Sequence, residues 1–152
     1  MKTLSTLLAA ALLLTAATAP AQDPKAGNPV MHSFGAIGAQ AVFSTYMSIA
    51  ELGDLVGAKT YDHDKAGQLA NMYAKLSESA KDSLTDLIDS GKLNSDDEAA
   101  VREMVVINDL LVKTATGIVN YMKEPSDENE AAYNKSRQKA WKSISKFMGI
   151  EE

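Results

Sequence analysis

The chain has 152 residues, a net charge of −5 at pH 7, 23% charged residues and no cysteine. An acidic chain without clustered Lys and Arg lacks the positive surface that binds nucleic acid, so we expect no nucleic-acid partner. The absence of cysteine excludes disulfides, Cys-ligated zinc and thiol catalysis.

The first 21 residues have the layout of a secretory signal peptide. Lys2 gives a short positive end, an apolar segment rich in Leu and Ala follows, and Ala19-Pro20-Ala21 forms an A-x-A cleavage pattern. The apolar segment is shorter than the roughly 20 residues that cross a bilayer. The pattern therefore predicts cleavage near Ala21 and a periplasmic or secreted protein.

Residues 22–28 contain a proline and a glycine and are predicted to be an irregular lead-in to one domain, 29–152. The first predicted helix runs from Pro29 to Val56, with Gly57 as its stop. The second runs from His63 to Ser90. Thr60 or Asp62 is placed to cap its start, and Gly91 to end it. Apolar residues recur at three- and four-residue steps along it, which indicates a helix.

The third predicted helix opens with a capping box from Ser95 to Glu98, and Pro125 ends it. The fourth starts with Ser126 or Asp127 as its cap. No alternating pattern of a β-strand occurs, and the predicted loops are short, which favours antiparallel neighbours. The sequence therefore predicts an all-α protein, an up-down-up-down antiparallel four-helix bundle.

The first helix has an unusual composition, because no Asp, Glu, Lys or Arg occurs from Ala26 to Ala50. A helix that is apolar all round must be buried all round, by protein or by lipid. His32, Gln40 and several Ser and Thr interrupt the apolar residues, so we expect no membrane span in the mature protein. Two apolar lines remain, and only one can face the bundle core.

Three explanations of the second apolar line stay open. A homodimer is one, with small residues allowing close approach and larger ones as anchors, at Gly35, Ala39, Phe43, Tyr46 and Met47. Tight packing within one chain is another. The third is a pocket for a small apolar ligand, since glycines inside a helix cost roughly 1 kcal/mol and so indicate a close approach, here at Gly35, Gly38 and Gly53.

One residue pair suggests a cofactor. His32 lies near the start of the first helix and Met148 near the end of the fourth, and the predicted topology brings these ends together. A His and a Met ligate haem iron in electron-transfer proteins. The arrangement is similar to that of b-type cytochrome bundles, but those take Met from the first helix and His from the last. Haem b is therefore an alternative, while the main expectation is no cofactor and no metal site.

No catalytic constellation stands out in the chain. It lacks the Glu-x-x-His motif of di-iron bundles, a G-x-S-x-G elbow and a phosphate-binding glycine loop. Asn108 interrupts an apolar run and is predicted to face the core. The sequence thus predicts a non-enzymatic binding or interaction protein that self-associates through its first helix. A haem-binding electron-transfer bundle and a carrier of a small apolar ligand are the alternatives.

Overall fold

A computed structural model describes residues 29–150, which form four α-helices and contain no strand. The helices are α1 (Pro29–Gly57), α2 (His63–Asp89), α3 (Ser95–Lys123) and α4 (Asp127–Met148). The predicted signal peptide, 1–21, and lead-in, 22–28, lie outside the described residues. The prediction of an all-α four-helix bundle is confirmed.

Three predicted helix ends are confirmed by local hydrogen bonds. The Asp62 carboxylate accepts from the Lys65 amide at the start of α2. The Ser126 hydroxyl accepts from the Asn129 amide at the start of α4. Gly91 follows α2 with a φ of +64°, a left-handed conformation that glycine adopts without steric cost. Each of these signals acts within a few residues, so the sequence is enough to place it.

The predicted capping box of α3 is wrong by one residue. Asn94 is the cap, and its side-chain oxygen accepts from the amides of Asp96 and Asp97. The Asn94 amide group also donates to the Asp97 carboxylate at 2.7 Å. Glu98, the predicted partner of Ser95, instead pairs with Arg102 one turn further along α3. Asn94 caps α3 in place of Ser95 because its side-chain amide satisfies two backbone donors and also donates to a carboxylate.

The end of α1 also differs from the prediction. Gly57 is still helical, and the left-handed residue is Lys59, with a φ of 55°. The Lys59 amide donates to the Val56 carbonyl and the Thr60 amide donates to the Leu55 carbonyl, as in a Schellman turn. A lysine in this conformation is uncommon, so the turn is held by its hydrogen bonds and not by glycine.

The helices are not equivalent in the bundle. α3 packs against all three others, most extensively against α2, whereas α2 and α4 do not contact each other within residues 29–150. α1 lies along α3 and touches α2 and α4 on its two sides. The largest fully buried aliphatic side chains come from α1, α3 and α4: Ile49, Ile107, Leu111, Ile118 and Ile144. α3 therefore forms the centre of the fold.

Asn108 faces the core, as predicted, and is 4% exposed. Its amide donates to the Met104 carbonyl of the same helix at 2.9 Å. A buried amide that bonds back to its own helix avoids the cost of an unmade hydrogen bond. This hydrogen bond joins no second helix, so it does not itself fix how the helices align.

Candidate functional site

The buried residues of α1 form one line along the helix. Its members are Val42, Tyr46, Ile49, Ala50, Leu52 and Val56. The N-terminal part of α1 is less enclosed, since Met31 and Phe34 are only half-buried against a smaller cluster formed by Leu84, Val101 and Met104. The most enclosed part of α1 is therefore its C-terminal half.

The structure separates the five predicted interface residues. Tyr46 is 8% exposed and belongs to the main core, so it is not available as a surface anchor. Gly35, Ala39 and Phe43 are half-buried, and Met47 alone is well exposed. Most of the predicted interface thus packs within the protomer, although the prediction of a dimer itself stays a prediction.

Phe43 and Tyr46 pack against an aromatic partner on α4. The Trp141 ring stacks on Tyr46 with centroids 5.5 Å apart, and it lies 6.4 Å from Phe43 in a tilted geometry. Such aromatic pairs contribute about 0.5–1.5 kcal/mol beyond the area they bury. Phe43 and Tyr46 therefore join α1 to α4 through Trp141, a partner that the sequence alone does not indicate.

A different line of α1 remains on the surface without any charge. Its five exposed residues follow one another at steps of three and four positions and form what we call the α1 outer face: Ser33, Ile37, Gln40, Ser44 and Met47. Ile37 is 68% exposed and Met47 is 48% exposed. At 1.5 Å per residue this face is roughly 20 Å long. Glu51 is the next residue on the same side and ends the uncharged run.

The two predicted haem ligands lie in different environments. Met148 is half-buried against the main core, whereas His32 is exposed on α1. No group of three or more His, Asp or Glu side chains that could hold a metal ion occurs within residues 29–150. Haem ligation by His32 and Met148 stays a prediction, for which the arrangement of these side chains adds no support.

An ion pair also joins α1 and α4. The Arg137 guanidinium donates two hydrogen bonds to the Asp54 carboxylate, at 2.6 and 3.1 Å. These hydrogen bonds raise the pKa of Arg137 above its ordinary value. The pair links positions 83 residues apart. No pattern in the sequence indicates Asp54 as the partner of Arg137.

Tyr133 lies beside this ion pair and is 8% exposed. Its hydroxyl makes no hydrogen bond of good geometry within residues 29–150, although the Arg137 guanidinium lies close enough to interact with it. Burial raises the pKa of Tyr133 above its ordinary value near 10, and the nearby Arg137 charge only partly opposes this shift. A buried hydroxyl without a partner costs about 1–3 kcal/mol. Tyr133 and Ser77 of α2 carry the two buried hydroxyl groups that have no hydrogen-bond partner within residues 29–150.

Two glycines make room for Tyr133. A methyl group built on Gly53 of α1 would lie 2.5 Å from the Tyr133 Cζ and closer still to its hydroxyl oxygen. A methyl group built on Gly117 of α3 would lie 3.1 Å from the Tyr133 Cα. The predicted close approach is thus confirmed at Gly53. It is confirmed also at Gly38, which faces Met104, whereas nothing lies within 4 Å of a methyl group on Gly35.

A cleft of about 320 Å³ opens next to Tyr133 between α1, α3 and α4. Its apolar surface comes from Gly53, Gly57, Ile118 and Tyr121. Charged side chains line it as well, namely Asp54, Glu130 and Arg137. The volume is at the lower end of the range for small-molecule sites.

None of the helices in the described part of the chain is long and apolar enough to cross a membrane. This finding agrees with the expectation for the uncharged segment of α1. Comparison of the chain with protein-family models, with curated proteins and with solved structures gave no match.

Proposed function

We propose that this protein is an exported, non-enzymatic interaction protein that self-associates through the α1 outer face. The observation that carries the proposal is the absence of charge along five exposed positions in a chain that is 23% charged. Two apolar side chains on this face, Ile37 and Met47, are about half exposed or more. Export rests on the signal-peptide pattern of residues 1–21.

A second copy of the chain fits this face for two reasons. Copies of an acidic protein repel each other wherever their charged surfaces meet, and an uncharged face avoids this repulsion. The positions of the residues along this face are also compatible with a twofold axis. In an antiparallel pairing centred at the level of Val42, Ile37 lies opposite Met47 of the second copy and Gln40 lies opposite Ser44. A twofold axis would repeat both contacts, as in an isologous dimer.

The test is the mass of the protein in solution, measured by sedimentation velocity on residues 22–152. The unaltered protein is expected to sediment as a dimer, and Met47→Glu as a monomer with the same helix content. Met72→Glu is the matched control, because Met72 on α2 has a similar exposure of 44%. A monomeric unaltered protein at about 100 µM would refute self-association.

The proposed register has its own test, which uses the absence of natural cysteine. Ile37→Cys and Met47→Cys proteins are mixed and treated with a short bismaleimide. A heterodimeric cross-linked product is expected from the mixture, whereas each variant alone should cross-link poorly. Equal cross-linking of the single variants would overturn the antiparallel register while leaving the dimer itself to the sedimentation result.

A further inference from the structure

The cleft between α1, α3 and α4 takes no part in the proposed self-association. Its lining residues come from the C-terminal end of α1 and from the facing parts of α3 and α4, whereas the α1 outer face ends at Met47, nearer the N-terminus of α1. Gly53 and Gly57 add no side chain to the α1 side of the cleft, which is lined there by Asp54 and Val56 as well. An opening of this kind between facing helices is where bundles place their ligands.

Tyr133 supplies the polar group in this cleft. More than nine-tenths of the residue is buried, and its hydroxyl oxygen has no hydrogen-bond partner in the described structure. The oxygen is closed off from bulk water, so a ligand reaches it only if the neighbouring side chains that cover it move. The cost of an unmade hydrogen bond favours such a movement when a ligand brings a partner.

The charged side chains around the cleft determine which sign of ligand charge it favours. Asp54 and Glu130 are negative and Arg137 is positive, and the bidentate pair already matches Asp54 with Arg137. Glu130 is exposed and forms no ion pair within residues 29–150. The cleft therefore has one unmatched negative charge, and the Tyr121 ring offers a face that attracts cations.

We propose that this cleft binds a small organic amine with an apolar body. The protonated amine lies near Glu130 and donates a hydrogen bond to the Tyr133 hydroxyl, which accepts it because the phenol is neutral and otherwise unpartnered. The apolar body lies against Ile118, Val56 and the backbone of Gly53. An amine with a single positive charge also neutralises the one unmatched charge of the cleft.

The test is a titration followed by amide nuclear magnetic resonance, with three probes of similar shape and different charge. 2-Phenylethylamine is the cationic probe, 2-phenylethanol the neutral one and 3-phenylpropionate the anionic one. The amine is expected to shift the amide signals of Gly53, Gly57 and Ile118 and to bind more tightly than the other two probes. Equal binding of the alcohol, or no localised shift with any probe, would overturn the proposal.

Variants distinguish specific recognition of the amine group from binding through its apolar body alone. Tyr133→Phe is expected to weaken amine binding roughly tenfold, the loss typical of one hydrogen bond to a charged group. Glu130→Gln is expected to weaken it roughly fivefold. Glu128→Gln, an exposed position on the opposite side of α4, is the control and should bind like the unaltered protein. An unchanged affinity in Tyr133→Phe would exclude the role given to its hydroxyl.

The outcome is independent of the oligomeric state. The same titration on Ile37→Glu, at the other end of the proposed interface, should give the same affinity, because Ile37 lies more than four turns before Gly53 and does not line the cleft. Loss of amine binding in that variant would place the site at the dimer interface and contradict the assignment to a cleft within one protomer.

Discussion

Replacing Gly53 with Ala should destabilise the bundle, although alanine is the better helix former. An added methyl group would overlap the Tyr133 ring at Cζ, 2.5 Å away, and its hydroxyl. The ring cannot retreat, because the Tyr133 backbone is already packed against Gly117 of α3. Forced overpacking of this kind costs about 1–3 kcal/mol, and a rigid ring held on two sides belongs at the upper end.

Other glycines of α1 provide internal controls for this value. Gly35→Ala places its methyl group in open space and should stabilise the protein by about 1 kcal/mol through helix propensity alone. Gly38→Ala meets only the end of the flexible Met104 side chain, which can turn away, so we expect a result near zero. At Gly53 the same gain of about 1 kcal/mol in helix propensity offsets part of a clash that costs about 3 kcal/mol. We therefore expect Gly53→Ala to be about 2 kcal/mol less stable than the unaltered protein.

The assay is urea unfolding followed by circular dichroism, with the three variants and the unaltered protein compared under one set of conditions. The free energy of unfolding should rank Gly35→Ala above Gly38→Ala and Gly53→Ala last. A second measurement isolates the clash. In a Tyr133→Leu background, which lacks the two overlapping atoms, Gly53→Ala should become neutral or stabilising. A Gly53→Ala protein as stable as Gly35→Ala would refute the proposed contact.

Four further measurements test individual assignments. Asn94→Ala should lower the free energy of unfolding by about 1 kcal/mol and Ser95→Ala by much less, since Asn94 is the cap; equal effects would restore the predicted capping box. Asn108→Leu should be neutral or stabilising in the same assay, because its hydrogen bond stays within one helix. The raised pKa of Tyr133 favours the protonated phenol in the folded state, so its contribution is complete below pH 10 and is lost as pH rises through the folded pKa. The unaltered protein should therefore lose more stability than Tyr133→Phe above pH 10, and parallel pH profiles would contradict this. Titration with haem b tests the alternative ligand pair: a Soret band of a His/Met-ligated iron that disappears in His32→Ala would support it, and no such band in the unaltered protein would contradict it.

The helices and most of their ends could be predicted from the sequence, because the forces that set them act within one or two turns. Asp62, Gly91 and Ser126 each satisfy backbone groups a few residues away, and the apolar periodicity needs no partner to be recognised. The two errors, at the start of α3 and the end of α1, arose where neighbouring residues offered competing local hydrogen bonds.

The orientation of α1 was decided only by the tertiary structure. Its uncharged segment has apolar residues on several sides, so no hydrophobic pattern selects a single buried line. The choice depends on shape, since the Tyr133 ring needs Gly53 and Trp141 needs Tyr46 on the same side of the helix. These contacts join α1 to α4, at opposite ends of the described chain. Packing between them therefore determined which residues became core and which were left as the α1 outer face.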